Sequence, residues 1–213
     1  DHNIAQGVPA NRIAVTGYAK AHFTPSKTRQ DLFAEDKPTL LYTPSWRPAR
    51  SSWPTWGRAV VERLKIRTDW NVIIAPHQRL FEKDPDAVAF LTEAANAPHI
   101  VIDHDSFAMV DGSYTKMADL YIGDTSSQIV EFLATPRACL MLRPDGLEWV
   151  EESSGDYWRC GEIVTQLADF DAALDRALAS HSAYLPHQSQ FAASALGDVS
   201  AAGMARAVDI LAR

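Results

Sequence analysis

The chain has 213 residues, 46% hydrophobic and 22% charged, which is enough for one large domain with a sizeable core and too little for two roomy ones. A net charge of -7 and a pI near 5.4 exclude a surface that tracks nucleic-acid phosphates, since that needs an excess of Lys and Arg. The longest apolar runs, such as Ala138–Leu142, are far short of the roughly 20 residues that cross a bilayer, so a soluble protein is expected.

The first 36 residues are polar, include Pro25 and contain one short strand-like run, Ile13-Ala-Val-Thr-Gly17. They read as a connector in which His2 and His22 are solvated. Because the chain opens at Asp1 with neither a methionine nor a leader pattern, it is expected to be a piece of something longer. From Thr39 onward, short β-branched runs alternate with segments of helical period, which is the pattern of successive βα units. Strands are predicted at 39–43, 71–75, 99–103, 119–123, 137–142 and 162–166. Helices are predicted at 55–67, with Ala59, Val60, Leu64 and Ile66 toward one face, and at 85–96, with Val88, Phe90 and Leu91. Strands this apolar belong to a parallel sheet covered by helices on both sides. The expected fold is therefore an α/β, doubly wound, six-stranded parallel sheet over residues 37–213. After Asp169 the period is helical, with helices predicted at 170–180 and 201–211 and a Pro- and Ser-containing stretch between them.

Cys139, in a strand-like run, reads as a small buried hydrophobe. Cys160 reads as an exposed loop residue of weak reactivity. Two such cysteines make neither a disulfide framework nor a metal cluster, and a reducing, cytoplasmic setting follows.

Ligands of an open parallel sheet bind outside the carboxyl ends of its strands. Here four ends are polar: Thr43-Pro-Ser-Trp-Arg47, Pro76-His77-Gln-Arg79, Asp103-His104-Asp105 and Gly123-Asp-Thr-Ser-Ser127. Arg47 offers a planar, bidentate donor to phosphate. His77 offers an imidazole donor, and Arg79 adds charge. Thr125, Ser126 and Ser127 stand where a helix begins, so their hydroxyls are expected to cap it and its free N–H groups to receive a phosphate. Glu131, one turn further on, is placed to accept from ribose hydroxyls. The aspartates after the third strand read as a polar turn, and Trp46, Trp53 and Trp56 as anchors of the loop. No G-x-G-x-x-G follows the first strand and no G-x-x-x-x-G-K-S/T occurs, which speaks against a nicotinamide dehydrogenase or a P-loop NTPase.

In order and spacing, Leu41-Tyr-Thr-Pro-Ser-Trp-Arg47, Ala75-Pro-His77 and Ala118-Asp-Leu-Tyr-Ile-Gly-Asp-Thr-Ser-Ser127 followed by Glu131-Phe resemble the CDP-glycerol glycerophosphotransferase family. Val15-Thr-Gly17-Tyr18 is similar to the short strand that precedes its donor domain, whereas Ala19-Lys-Ala-His22 departs from the pattern. The resemblance implies the C-terminal, Rossmann-like half of a GT-B enzyme, with extra C-terminal helices, that moves glycerophosphate or a glycosyl group from a donor such as CDP-glycerol to a polymer or glycan acceptor. It further implies that Arg47 and His77 contact the diphosphate, that Ser126 and Ser127 bind it at the helix start, and that Glu131 lies near the ribose. The general base would come from an N-terminal domain outside this chain, no metal or cofactor would be needed, and the whole protein would act in the cytoplasm, at the inner membrane face through peripheral association. Two other readings stay open: a UDP-sugar-binding GT-B glycosyltransferase or 2-epimerase domain, and a non-catalytic α/β binding module.

Overall fold

The computed structural model describes residues 6–147 and 156–212. His2 lies outside them. Six strands form one sheet: β1 (Thr39–Thr43), β2 (Asn71–Ile74), β3 (Ile100–Ile102), β4 (Leu120–Gly123), β5 (Ala138–Leu142) and β6 (Glu162–Val164). Their spatial order is β3-β2-β1-β4-β5-β6, and every pairing is parallel. The chain winds outward from β1 in one direction and from β4 in the other, so the order reverses between these two strands. This is the doubly wound, Rossmann-like sheet expected from the alternating pattern, with its crevice at the β1/β4 junction.

Besides single helical turns, the helices are α1 (Arg58–Ile66), α2 (Ala87–Ala94), α3 (Ser113–Met117), α4 (Ser127–Phe132), α5 (Phe170–Ala179), α6 (His181–Leu196) and α7 (Ala201–Leu211). Alternate strand residues serve opposite faces. Leu40, Tyr42, Val72, Ile74, Leu120, Ile122, Leu140 and Leu142 share a core with Val60, Val61 and Leu64 of α1, Leu91 of α2 and Phe170 and Leu174 of α5. Leu41, Ile73, Tyr121, Cys139 and Met141 pack on the other side with Tyr114 of α3, Ile129 and Phe132 of α4 and Ala192 of α6. The helix faces differ in detail from the expected stripes. In α1, Ile66 is exposed and Val61 is buried, and in α2 the buried stripe is Ala87, Leu91 and Ala94, leaving Val88 exposed. Two of the three buried positions are alanines, which a reading by side-chain size overlooks.

Four expectations need correction. Ile13–Gly17 forms no strand in this structure; the N-terminal segment instead binds the domain through side chains, with Arg29 on Asp119 and Lys116 on the Phe23 carbonyl. The Pro- and Ser-containing stretch is not a break, because α6 runs through Pro186. Its anchor is Gln188, fully buried, whose Nε2 donates to the Arg137 and Cys160 carbonyls at 2.8 and 2.6 Å. That tertiary grip outweighs the local penalty of an interior proline. Cys160 is buried rather than exposed; its thiol donates to the Asp156 carbonyl, and burial pushes its pKa up to about 12. Finally, Trp53–Gly57 is a π-helical turn leading into α1, where a longer α-helix was expected.

Candidate functional site

The β1/β4 ladder ends at the Thr43 and Gly123 pair, and a cavity of about 450 Å³ opens just beyond it. Its walls come from three strand ends: Pro44 to Arg50 after β1, Ala75 to Gln78 after β2, and Thr125 to Gln128 after β4, with Met109, Val110 and Tyr157 at the side. No Asp or Glu is among these lining residues. In a protein with 27 acidic side chains, the described lining carries the positive charges of Arg47 and Arg50 and no carboxylate.

Arg47 and Arg79 both lie against the Trp46 indole, 5.4 and 5.0 Å from its centroid, and the His77 ring is 5.8 Å from it. The half-exposed indole thus holds two guanidiniums and an imidazole along one rim by cation–π and ring contacts. Trp53 and Trp56 are buried, with Trp53 Nε1 donating to Asp84, and do serve as loop anchors. Six arginines elsewhere are satisfied by carboxylates: Arg29 by Asp119, Arg58 by Asp84, Arg63 by Asp171, Arg67 by Asp69, Arg176 by Glu162 and Arg206 by Asp198. Arg47, Arg50 and Arg79 make no ion pair among the described residues. Sequence reasoning missed Arg50, since nothing in Pro48-Ala-Arg50 shows that the loop folds back over the crevice.

The Arg79 amide donates to His77 Nδ1 at 3.2 Å. Desolvation of the ring against Trp46, followed by the Arg79 charge, lowers the His77 pKa below its ordinary value. The free protein at neutral pH therefore presents a neutral imidazole with its proton on Nε2, a donor for an anion rather than a base.

The serine turn differs from expectation. Ser126 is the N-cap of α4, but its side chain makes no capping bond; Oγ lies 3.3 Å from the Tyr121 hydroxyl, which accepts from Thr43 Oγ1. Gly123 permits this, because a Cβ there would come within 2.6 Å of the Tyr121 oxygen. Since α4 is only six residues long, its terminus is a weak dipole, and the charge at this site resides in the guanidiniums. Thr125, Ser126 and Ser127 line the cavity as hydroxyl donors.

Glu131 is not in this cavity. Its carboxylate accepts from the Tyr18 hydroxyl at 2.7 Å and is paired with Lys20. It lines a second, larger cavity of about 860 Å³ between the N-terminal segment, α3 and α4. The charged groups of that second cavity already have partners: Arg29 bonds Asp119, Arg137 bonds the carbonyls of Thr115 and Phe132, and Lys116 bonds that of Phe23. It is a seam between segments and offers little to a ligand despite its size. Asp103 makes the expected polar turn, accepting from the amides of Asp105 and Ser106 and from Tyr114. No cluster of three or more His, Cys, Asp or Glu that could hold a metal occurs among the described residues. No described helix is long and apolar enough to cross a membrane.

No protein-family model and no curated relative matches the chain. Among solved structures it is similar to sucrose-phosphate synthase from Thermosynechococcus elongatus, at 14% identity over 92% of this chain and 50% of that one, with a TM-score of 0.54. It is also similar to the wall teichoic acid polymerase TagF, at 14% identity over 86% of this chain and 44% of that one, with a TM-score of 0.53. The chain spans about half the length of both. At these identities the likeness establishes the shared fold.

Proposed function

We propose that this chain is the donor-binding half of a GT-B transferase, and that its crevice holds the diphosphate of a nucleotide donor, with CDP-glycerol the first choice. The observation that carries this reading is a cavity lined by Arg47 and Arg50 and by no described Asp or Glu, with Arg79 against Trp46 at its rim, none of the three being ion-paired among the described residues. Free guanidiniums at a rim repel one another and are stabilised by an anion between them. Arg47, Arg50 and Arg79 supply charge, His77 Nε2 supplies a neutral donor, and the hydroxyls of Thr125, Ser126 and Ser127 supply the opposite wall. Together they can disperse the charge that builds on a departing phosphate. The base that would take the acceptor's proton is assigned to an N-terminal domain, because the lining contains no carboxylate and the imidazole has its proton where a ligand would sit.

The motif order favours a glycerophosphate donor, and the likeness to sucrose-phosphate synthase supports a nucleotide sugar as the second reading. Calorimetric titration with cytidine, CMP, CDP, UMP and UDP tests both. CDP is expected to bind best and cytidine scarcely. UDP binding above CDP transfers the assignment to a nucleotide sugar, and silence with every ligand removes the donor-site reading altogether.

A further inference from the structure

Beneath the crevice lies a buried carboxylate to which the donor reading gives no task. Asp124 follows β4 directly and has no exposed surface. Its Oδ2 accepts from the Ser45 amide at 2.9 Å and its Oδ1 from the Ser52 amide at 3.1 Å. These two residues bracket the loop that carries Trp46, Arg47 and Arg50, and Asp124 itself adjoins the Thr125 to Ser127 turn. Of the loop's other bonds, Ser51 Oγ to the Ser45 carbonyl and the Trp53 amide to Ser51 Oγ close it on itself, and the His77 amide to the Pro44 carbonyl joins it to the end of β2 rather than to β4. The strand ladder stops earlier, at Thr43 and Gly123. Two divergent amides are received together by a carboxyl group, which offers two acceptor oxygens, whereas a primary amide offers one acceptor and a donor. Burying that group is costly, and an asparagine would cost less if one bond were enough.

We propose that Asp124 is the positioning residue of the anion site, holding the arginine loop in register with the serine turn so that guanidiniums and hydroxyls reach the same diphosphate. This inference rests on the donor-site reading. It concerns geometry, and Asp124 itself touches no ligand.

The test uses Asp124→Asn, which keeps the shape but turns an amide donor toward one of the two N–H groups, and Ser52→Pro, which deletes one N–H from the other side. Proline is compatible there, since Ser52 has φ of -72° and Ser51 is extended at φ -116° and ψ 129°. Without ligand, amide exchange at Ser45 and across the loop is expected to speed up at least tenfold in both variants; unchanged exchange overturns the proposal, whatever the crevice binds. With ligand, CDP affinity is expected to fall about tenfold in Asp124→Asn and to change less than twofold when the same substitution is made in Arg47→Ala/Arg50→Ala, where no guanidinium remains to be placed. An equal loss in both backgrounds would mark general destabilisation and overturn the positioning role. Failure of the parent protein to bind CDP or pyrophosphate would instead defeat the donor reading, while the exchange measurement still decides whether Asp124 holds the loop.

Discussion

At the residue scale, the crevice divides into groups that act by charge and groups that act by shape. Arg47→Lys keeps the charge but loses the planar fork, so CDP affinity is expected to drop about tenfold, or ~1.4 kcal/mol, with cytidine affinity unchanged. Equal titrations for parent and variant would place Arg47 outside the site. Arg50→Ala is expected to behave similarly, because Arg50 also lines the cavity and has no carboxylate partner among the described residues. Ser126→Ala separates two roles that the sequence had joined. Losing a capping hydroxyl costs roughly 0.5–2 kcal/mol, yet the Ser126 hydroxyl faces Tyr121 and caps nothing. Its melting temperature should therefore stay near that of the parent while CDP affinity falls more than cytidine affinity; a melting loss of full cap size would restore the capping role. The places of Arg47 and His77 beside the crevice were legible in the sequence because both lie within four residues of a strand end, and the carboxyl end of a parallel sheet is a place that topology dictates. Arg50 and the engaged state of Glu131 were not, since each depends on how a distant segment folds back.

At the element scale, α6 shows tertiary contacts overriding local preference. A stretch containing Pro186 and several serines reads as a break, yet 16 residues are helical because Gln188 is inserted between β5 and the segment before β6. Its Oε1 also meets His181 Nε2 at 3.0 Å, tying the first turn of the helix to the same point. Gln188→Ala is expected to destabilise the fold by about 1–3 kcal/mol for each buried carbonyl left unpaired, measurable as a lower urea midpoint. If the midpoint does not move, the helix is held by Ala192 and Leu196 instead. The strands behaved differently: all six appear within a residue or two of their expected bounds. The signal is strongest in β1, β2, β4 and β5, which are buried on both faces, so that period, composition and burial all point the same way.

At the scale of the whole molecule, the buried Asp124 links stability to pH. Desolvation raises its pKa to about 7 from an ordinary value of 3.8, with the Ser45 and Ser52 bonds only partly opposing the rise. Between those two values the folded state keeps a proton that the unfolded state has released, so stability from this group falls as pH rises from about 4 to about 7 and is flat on either side. The difference in melting temperature between the parent and Asp124→Asn should narrow toward higher pH across that window, and a constant difference would mean that Asp124 titrates normally. The proposed half-enzyme also predicts that the chain alone shows no turnover with CDP-glycerol and a glycerophosphate acceptor; turnover would locate the catalytic base within these residues. By itself the sequence determined the number and type of strands, the covered parallel sheet, the acidic balance and the polar strand ends, because these rest on periods of a few residues and on composition. Only the tertiary structure decided which cations are ion-paired among the described residues, that Glu131 belongs to Tyr18 and Lys20, and that Asp124 grips the arginine loop. The physical reason is separation along the chain: Tyr18 and Glu131 are 113 positions apart, and Ser45 and Asp124 are 79 apart. No local period carries a bond of that span, which forms only after the sheet has brought β1 beside β4.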